Sequence, residues 1–334
     1  MSARVSLDDI ETIATRALLA HGARPEAAAS LGRAIMATEA DGLASHGLAY
    51  LATYCTHLSC GKVVGGAVPQ VTRPSPGLVL VDAGSGFAHP AIDAGLDSLT
   101  EAARSQGIAA LAIRNSYNCG VLGYHTERLA MRGLVALGFT NAPASIAPWG
   151  ATRPVLGTNP FSLAVPGADG AAAFVIDQSA SVIAKSEVMK RGRENRALEP
   201  GWALDAQGQP TTDTQAALAG TMMPAGGYKG VGVALLVEVM AACLTGATPG
   251  IAASPFSGTQ GGPPRTGQMF LAIAPDAASG GAFAARLAMV AEAFGDAGSR
   301  LPGTRRLAAR TAALRDGVAV SDDLLARVRA LADA

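Results

Sequence analysis

The chain has 334 residues, 49% of them apolar and 16% charged, with 40 glycines, which suits a folded protein with a sizeable core and many tight turns and excludes a disordered chain. Lys plus Arg equals Asp plus Glu at 26 each, so no net field draws the chain to nucleic acid or to an anionic membrane. A small-molecule partner is the expectation that remains.

Ser6 and Asp9 form a capping-box pattern ahead of Leu7, Ile10, Ile13, Ala14, Ala17 and Leu18, so a first helix is expected up to Gly22. Asp8, Asp9 and Glu11 interrupt this amino terminus, and no continuous apolar segment precedes a cleavage site. Nor does any run reach the roughly eighteen apolar residues of a membrane span, so a cytoplasmic protein is expected. Pro25 opens a second helix, to about Asp41, with Gly42 as the left-handed stop. Ser45-His46-Gly47 begins a third helix, carrying Leu48, Leu51, Ala52, Cys55 and Leu58 and ending at Gly61. A histidine beside a hydroxyl at a helix start can transfer a proton. The first 65 residues thus read as helical.

From Gly77 the pattern changes to short apolar strands over 78–81, 108–113 and 134–139, with helices over 90–105 and 120–132. Extended pieces follow at 161–165 and 174–176, then a helix at 185–195, a turn-rich stretch GWALDAQGQPTTD, an apolar helix at 231–245 and a strand at 268–274. The remainder reads as helical. Helices at both ends of a mixed middle suggest that the termini form one lobe and the middle the other.

Gly84-Ser85-Gly86 lies where a dinucleotide fingerprint belongs, but His89 occupies the third glycine position, and a tight turn explains the glycines. The run from Asn115 to His125 leaves a strand and opens a helix whose free N–H groups suit a phosphate, or equally an ordinary Asn/Ser cap. Thr158 and Asn159 stand out in the rigid Pro/Gly loops that follow the next strand. Lys229, in Gly226-Gly227-Tyr228-Lys229-Gly230, adjoins a helix start whose dipole disfavours a cation, so it should seek an anion. Arg300, Arg305 and Arg306 form a basic turn that fits either phosphate or solvent. The four cysteines include no CxxC pair and read as reduced core thiols, and the five histidines show no metal-ligand spacing.

In order, the segments DGLASHG, NSYNCGVLGYH, TNAPASIAPWG, GTNPFSLAVP, DQSASVIA, PGWALDAQGQPTTD, MPAGGYKG and RLPGTRR resemble the malate/L-lactate dehydrogenase-like family of NAD(P)-dependent oxidoreductases over nearly the whole chain. That family includes 2-hydroxy acid dehydrogenases acting on malate, lactate or sulfolactate, and reductases of cyclic ketimines such as piperideine-2-carboxylate and pyrroline-2-carboxylate. The resemblance implies a non-Rossmann α/β (α+β) fold. A largely antiparallel sheet domain over 76–299 would bind NAD(P), and residues 1–75 with about 300–334 would form a helical substrate and dimerisation lobe of a homodimer. It implies that His46 donates a proton to the substrate carbonyl or imine, oriented by Ser45 and a downstream acid, Glu187. It places Asn118, Cys119, Gly120, Val121, Leu122, Ser179, Ala180, Ser181, Tyr228, Lys229, Arg300, Arg305 and Arg306 on the dinucleotide and Thr158 on the substrate. NADP is the expected cofactor, with NAD the alternative, because the arginine turn suits a 2′-phosphate or a pyrophosphate.

The chemistry is coherent on its own terms. Hydride arriving at a C=O or C=N carbon leaves negative charge on the heteroatom, and a positioned imidazolium neutralises it. A carboxylate beside His46 would keep it charged near neutral pH. Family ketimine reductases carry an aspartate where Glu187 stands, which favours a cyclic ketimine or 2-oxo acid reductase. The alternatives are a 2-hydroxy acid dehydrogenase and a non-catalytic cofactor-binding relative. Three departures matter, one being Ala184-Lys185-Ser186 where the family commonly has Ala-Arg-Gly. Tyr50 occupies the place of an arginine that holds the substrate carboxylate, and Asn118 that of a histidine. A phenol cannot replace a bidentate guanidinium, so either Lys185 or Arg153 takes the carboxylate or the substrate differs from a simple 2-oxo acid, and weak activity on malate and lactate is expected.

Overall fold

The computed structural model describes residues 2–334, apart from the Ser186 side chain. The chain opens with β1 (Ser2–Val5), α1 (Leu7–Ala20), α2 (Pro25–Ala40), a 3-10 turn at Ala44–His46 and α3 (Leu48–Ser59). Its middle runs β2 (Gln70–Ser75), β3 (Leu78–Asp82), α4 (Ala88–Gln106), β4 (Ile108–Ser116), α5 (Leu122–Ala130), β5 (Val135–Thr140), β6 (Phe161–Pro166) and β7 (Ala172–Gln178). Next come α6 (Lys185–Arg193), β8 (Ala203–Leu204), β9 (Pro210–Thr211), α7 (Thr214–Ala219), β10 (Thr221–Met222) and α8 (Tyr228–Glu238), which continues as a π-helical turn at Val239–Cys243. The chain ends with β11 (Thr266–Ile273), α9 (Pro275–Ser279), α10 (Phe283–Asp296), α11 (Thr304–Asp316), β12 (Val318–Ser321) and α12 (Asp322–Ala332).

The main sheet has seven strands in the order β2-β3-β4-β11-β5-β6-β7. Its one parallel pair is β3 with β4, joined by α4, and every other neighbouring pair is antiparallel. Side chains of a strand alternate between faces, and β4 uses both. Ala109, Leu111 and Ile113 pack with Ile92, Leu96 and Leu99 of α4 and Leu122 and Leu129 of α5. Ala112 packs on the other face, with Met269 of β11, Val237 of α8 and Ala241 of the π turn. The fold is therefore a mixed, largely antiparallel sheet between helices, not a doubly wound Rossmann sheet.

The termini share a separate core, in which Ile10, Ala14 and Leu18 of α1 meet Leu31 and Ile35 of α2, Leu51 and Tyr54 of α3, and Leu325 and Val328 of α12. Ser6 caps α1 as expected, accepting the Asp9 N–H at 3.1 Å. The termini are not purely helical, however, because β1 pairs antiparallel with β12. A four-residue strand whose partner lies at the far end of the chain leaves little local pattern to read. Edge strand β2 was equally hidden, being fully exposed and carrying Pro74, which only an edge tolerates.

Candidate active site

A cleft of about 1520 Å³ is lined by His46 and Tyr50 of the terminal segment, by loops that leave the sheet, and by Arg300 and Arg305. His46 does not start a helix as the sequence suggested. It closes the 3-10 turn Ala44–His46, while α3 begins at Leu48. Glu39 reaches from α2 to accept the Leu48 N–H at 2.7 Å, capping α3 across the turn. Gly47 makes this possible, since a Cβ there would run into the Glu39 carboxylate. The histidine is thus held between Gly42, at φ +73°, and a glycine that admits a carboxylate.

Ser45 Oγ lies 3.0 Å from His46 Nδ1, as expected of an orienting hydroxyl. Half-buried, the imidazole has a pKa held below its ordinary 6.5 by burial. Among the described residues burial is the one cause of that shift, and no ion pair joins Glu187 to the ring. Glu187 sits on α6, 3.4 Å from Arg191 Nε, and does not line the cleft. Tyr50 does line it, and its hydroxyl donates to Phe256 O at 3.2 Å. Burial raises the phenol pKa above 10, so Tyr50 presents a neutral group to the cleft.

The loop ahead of α5 lines the cleft through Asn118, Gly120, Val121 and Leu122. Two N–H groups, one in this loop and one in the first turn of α5, are already taken. Asn118 Oδ1 accepts that of Gly120 at 2.6 Å, and Asp177 Oδ2 accepts that of Gly123 at 2.7 Å. The α5 N-terminus therefore faces a protein carboxylate, which weakens the expectation of a phosphate cradle made by this helix alone. Asp177 opens onto the cleft yet is closely surrounded by protein, and burial raises its carboxyl pKa against the Gly123 N–H and the Arg306 charge. Cys119 turns the other way, 2% exposed in the core beneath α4, while its carbonyl lies 2.9 Å from His125 Nε2.

Ser179 and Thr158 line the cleft, whereas Ala180 and Ser181 are buried behind them. The Ser179 and Ser181 hydroxyls are 2.9 Å apart, and Ala180 N–H donates to Thr158 O at 2.8 Å. Asn159 is structural. Its Nδ2 donates to Ala234 O at 2.9 Å and Glu238 Oε2 at 2.7 Å, and its Oδ1 accepts the Ala142 N–H at 3.1 Å, tying α8 to the loop after β5.

The three arginines divide. Arg300 and Arg305 are exposed along the cleft. Arg306 is held 3.4 Å from both Asp41 Oδ2 and Glu127 Oε1, and Arg310 joins the same carboxylates at 2.7 and 2.8 Å. Arg306 thus has less charge to offer a cofactor than the sequence suggested. Tyr228 and Lys229 open α8 outside the cleft, Tyr228 being 65% exposed. Lys185 lines the cleft and Arg153 does not. The Gly84-Ser85-Gly86 turn is also remote, and Asp82 Oδ1 accepts the Gly84 N–H at 2.9 Å within it. Asp41, Asp177 and Phe256 line the cleft without having been singled out from the sequence. Asp177 lies at the head of the segment DQSASVIA, but Phe256, in a Ser/Pro/Gly loop, gave no signal.

The malate/L-lactate dehydrogenase family model matches residues 5–329. The (2R)-3-sulfolactate dehydrogenase (NADP(+)) of Chromohalobacter salexigens is 43% identical over 310 residues, covering 93% of this chain and 92% of that one. The delta(1)-pyrroline-2-carboxylate reductase of Ancylobacter novellus is 38% identical over 332 residues, covering 98% and 97%. The crystal structure of delta1-piperideine-2-carboxylate reductase from Pseudomonas syringae superposes with a TM-score of 0.94 at 36% identity, covering 98% of this chain and 99% of that one. The chain belongs to the malate/L-lactate dehydrogenase family and is an oxidoreductase.

Proposed function

We propose that this member of the family reduces a small cyclic ketimine or 2-oxo acid with NADPH, His46 donating the proton. The observation that carries this reading is the cleft itself, with a hydroxyl-oriented imidazole on one wall and arginines on another. At about 1520 Å³ the cleft exceeds the roughly 300–1,000 Å³ of a single-ligand pocket, which fits a dinucleotide with a small substrate beside it. Arg300 and Arg305, with Asn118, Gly120, Val121, Leu122 and Ser179, would hold the dinucleotide, and the NADP(+) named for the sulfolactate relative supports NADP over NAD. When bound, the reduced cofactor supplies the hydride. His46 then gives its proton to the heteroatom that gains charge, while Ser45 holds the ring. Thr158 and Lys185 are positioned along the cleft for the substrate, Lys185 as the cation that Tyr50 is not. The terminal lobe (1–75 with about 300–334) would form the substrate side and 76–299 the cofactor side.

Glu187 no longer argues for the imine, since it lies away from His46 within the chain. The pyrroline and piperideine reductases among the relatives do. A 2-hydroxy acid dehydrogenase of the sulfolactate type is the second reading, favoured by the 43% identical relative. Steady-state assays with NADPH and NADH against piperideine-2-carboxylate, pyrroline-2-carboxylate, 3-sulfopyruvate, pyruvate and oxaloacetate separate the two. A ketimine is expected to reach kcat/KM of about 10⁴ M⁻¹s⁻¹ or more, with pyruvate and oxaloacetate about 100-fold lower. Preferred turnover of 3-sulfopyruvate selects the second reading, and no turnover of any overturns both. The assembly is proposed to be a homodimer in the cytoplasm.

A further inference from the structure

Lys62 is fully buried, and its ammonium donates to three backbone carbonyls, Pro255 O at 2.6 Å, Ser257 O at 3.2 Å and Gly258 O at 3.4 Å. Phe256 O, between them, accepts the Tyr50 hydroxyl at 3.2 Å. His57 Nε2 lies 2.9 Å from Gly258 O, and its Nδ1 is bonded to the Tyr117 hydroxyl. A carbonyl can only accept, so Nε2 carries the proton and Tyr117 donates to Nδ1. All four consecutive carbonyls from 255 to 258 are therefore held by side chains on or just after α3, the helix that follows His46. Removing an ammonium from water costs several kcal/mol unless its protons are matched, and here all three protons are directed at one loop.

That loop is a wall of the cleft. Pro255, Phe256, Ser257 and Gly258 all line it. The Phe256 ring stands edge-on to Tyr117 at 5.3 Å, and the Tyr50 ring edge-on to Tyr54 at 4.8 Å. On α3 and the 255–258 loop the cleft thus presents two aromatic residues, Tyr50 and Phe256, while its cations, Lys185, Arg300, Arg305 and Arg306, come from other segments. Such a surface favours an apolar, planar group and penalises a second anion, which would lose its water without gaining a partner.

We propose that the 255–258 loop is the specificity wall of the substrate pocket, Phe256 packing on a planar ring that flanks the substrate's reacting carbon, and that Lys62, His57 and Tyr50 are positioning residues that fix this wall. The inference rests on the hydride-transfer reading and deepens it, selecting ring-bearing carboxylates over small or doubly anionic ones. The test measures binding, so it does not depend on turnover. Calorimetry on the NADP⁺-loaded protein uses pyrrole-2-carboxylate as the ring-bearing probe and oxamate as the ringless one. Phe256→Ala is expected to weaken pyrrole-2-carboxylate about tenfold while oxamate stays within about twofold. Lys62→Met is expected to reproduce that loss of selectivity with NADP⁺ affinity unchanged. Where Lys62→Met fails to fold, Tyr50→Phe, which keeps the ring and removes the hydroxyl that donates to Phe256 O, is expected to shift the same ratio in the same direction. An unchanged ratio in Phe256→Ala, or equal weakening of both probes, overturns the wall. Phe256-dependent ring binding in a protein that turns over no ketimine or 2-oxo acid supports the wall and refutes the reductase. A wild-type protein that binds neither probe sinks both.

Discussion

His46 has to carry a proton to donate one, and burial works against that. With its pKa below 6.5 and no carboxylate on the ring, the fraction of charged imidazole falls as pH rises through that pKa. The reductive kcat/KM is therefore expected to fall with rising pH, with its break below 6.5, and the reverse oxidation, which needs the neutral ring as base, to rise through the same point and level off. A reductive profile flat to pH 8 would contradict the assignment. His46→Ala is expected to lower kcat by about 10²- to 10⁴-fold while NADPH binding, followed by fluorescence, persists. Ser45 and His46 were legible because they are adjacent in sequence. The Glu187 pairing was not, because it needed the position of α6 in space, where Arg191 one turn away takes the carboxylate. Arg306 lines the cleft, but its carboxylate partners were hidden for a similar reason. Its sequence neighbours are arginines, but its spatial neighbours, Asp41 and Glu127, come from α2's end and from α5.

Those two carboxylates make α11 part of the site. Asp41 and Glu127 side chains are only 5% and 7% exposed, and Arg310 meets both, its pKa raised chiefly by the hydrogen bond to Asp41. Breaking a buried ion pair by removing one partner leaves charge unmatched, at a cost of about 3–5 kcal/mol, whereas an exposed pair contributes little. Arg310 is partly exposed, which places the expected loss near the lower end of that range. Arg310→Met is expected to lower unfolding stability in urea by about 3 kcal/mol. It should also weaken NADPH, because α11 carries Arg305 and Arg306 along the cleft. A change below about 0.5 kcal/mol would show that the four charges act as a solvated cluster. At this scale the sequence was most readable where periodicity was local. The Ser6 cap and the core strands Leu78–Asp82 and Ile108–Ser116 were anticipated within a few residues. Strands β1, β2 and β12 were missed because their pairing is distant or at an edge, and the α3 cap because its donor and acceptor, Leu48 and Glu39, lie on different helices.

At the scale of the whole molecule, α8 and α10 each leave a cluster of three large apolar side chains without cover. On α8 and its π extension, Leu235, Leu236 and Val239 are 54%, 53% and 41% exposed, and their spacing puts them on one side of the helix. On α10, which has no buried residue, Met289, Val290 and Phe294 are 59%, 52% and 39% exposed. Scattered exposed leucines need no explanation, but clustered ones on successive turns mark a contact surface. The α8 helix is apolar nearly all round, a composition suited to burial on every side, yet within the chain it packs through Val237 on the sheet face and through Ala234, Val231 and Val233 on Ile146, Leu156 and Met222, leaving Leu235, Leu236 and Val239 uncovered. A second copy of the chain is the partner that the proposed homodimer supplies. The contact is then expected in the middle of the chain, where α8 lies, whereas the sequence reading placed dimerisation on the terminal lobe. Replacing Leu236 and Val239 together by Glu would bury two unpaired charges in that contact, at a cost large enough to dissociate a standard interface of about 1,600 Å². Sedimentation velocity is expected to show a dimer of the 33.5 kDa wild-type chain and a folded monomer of the double variant. A wild-type monomer, or a variant that remains dimeric, would place the contact elsewhere.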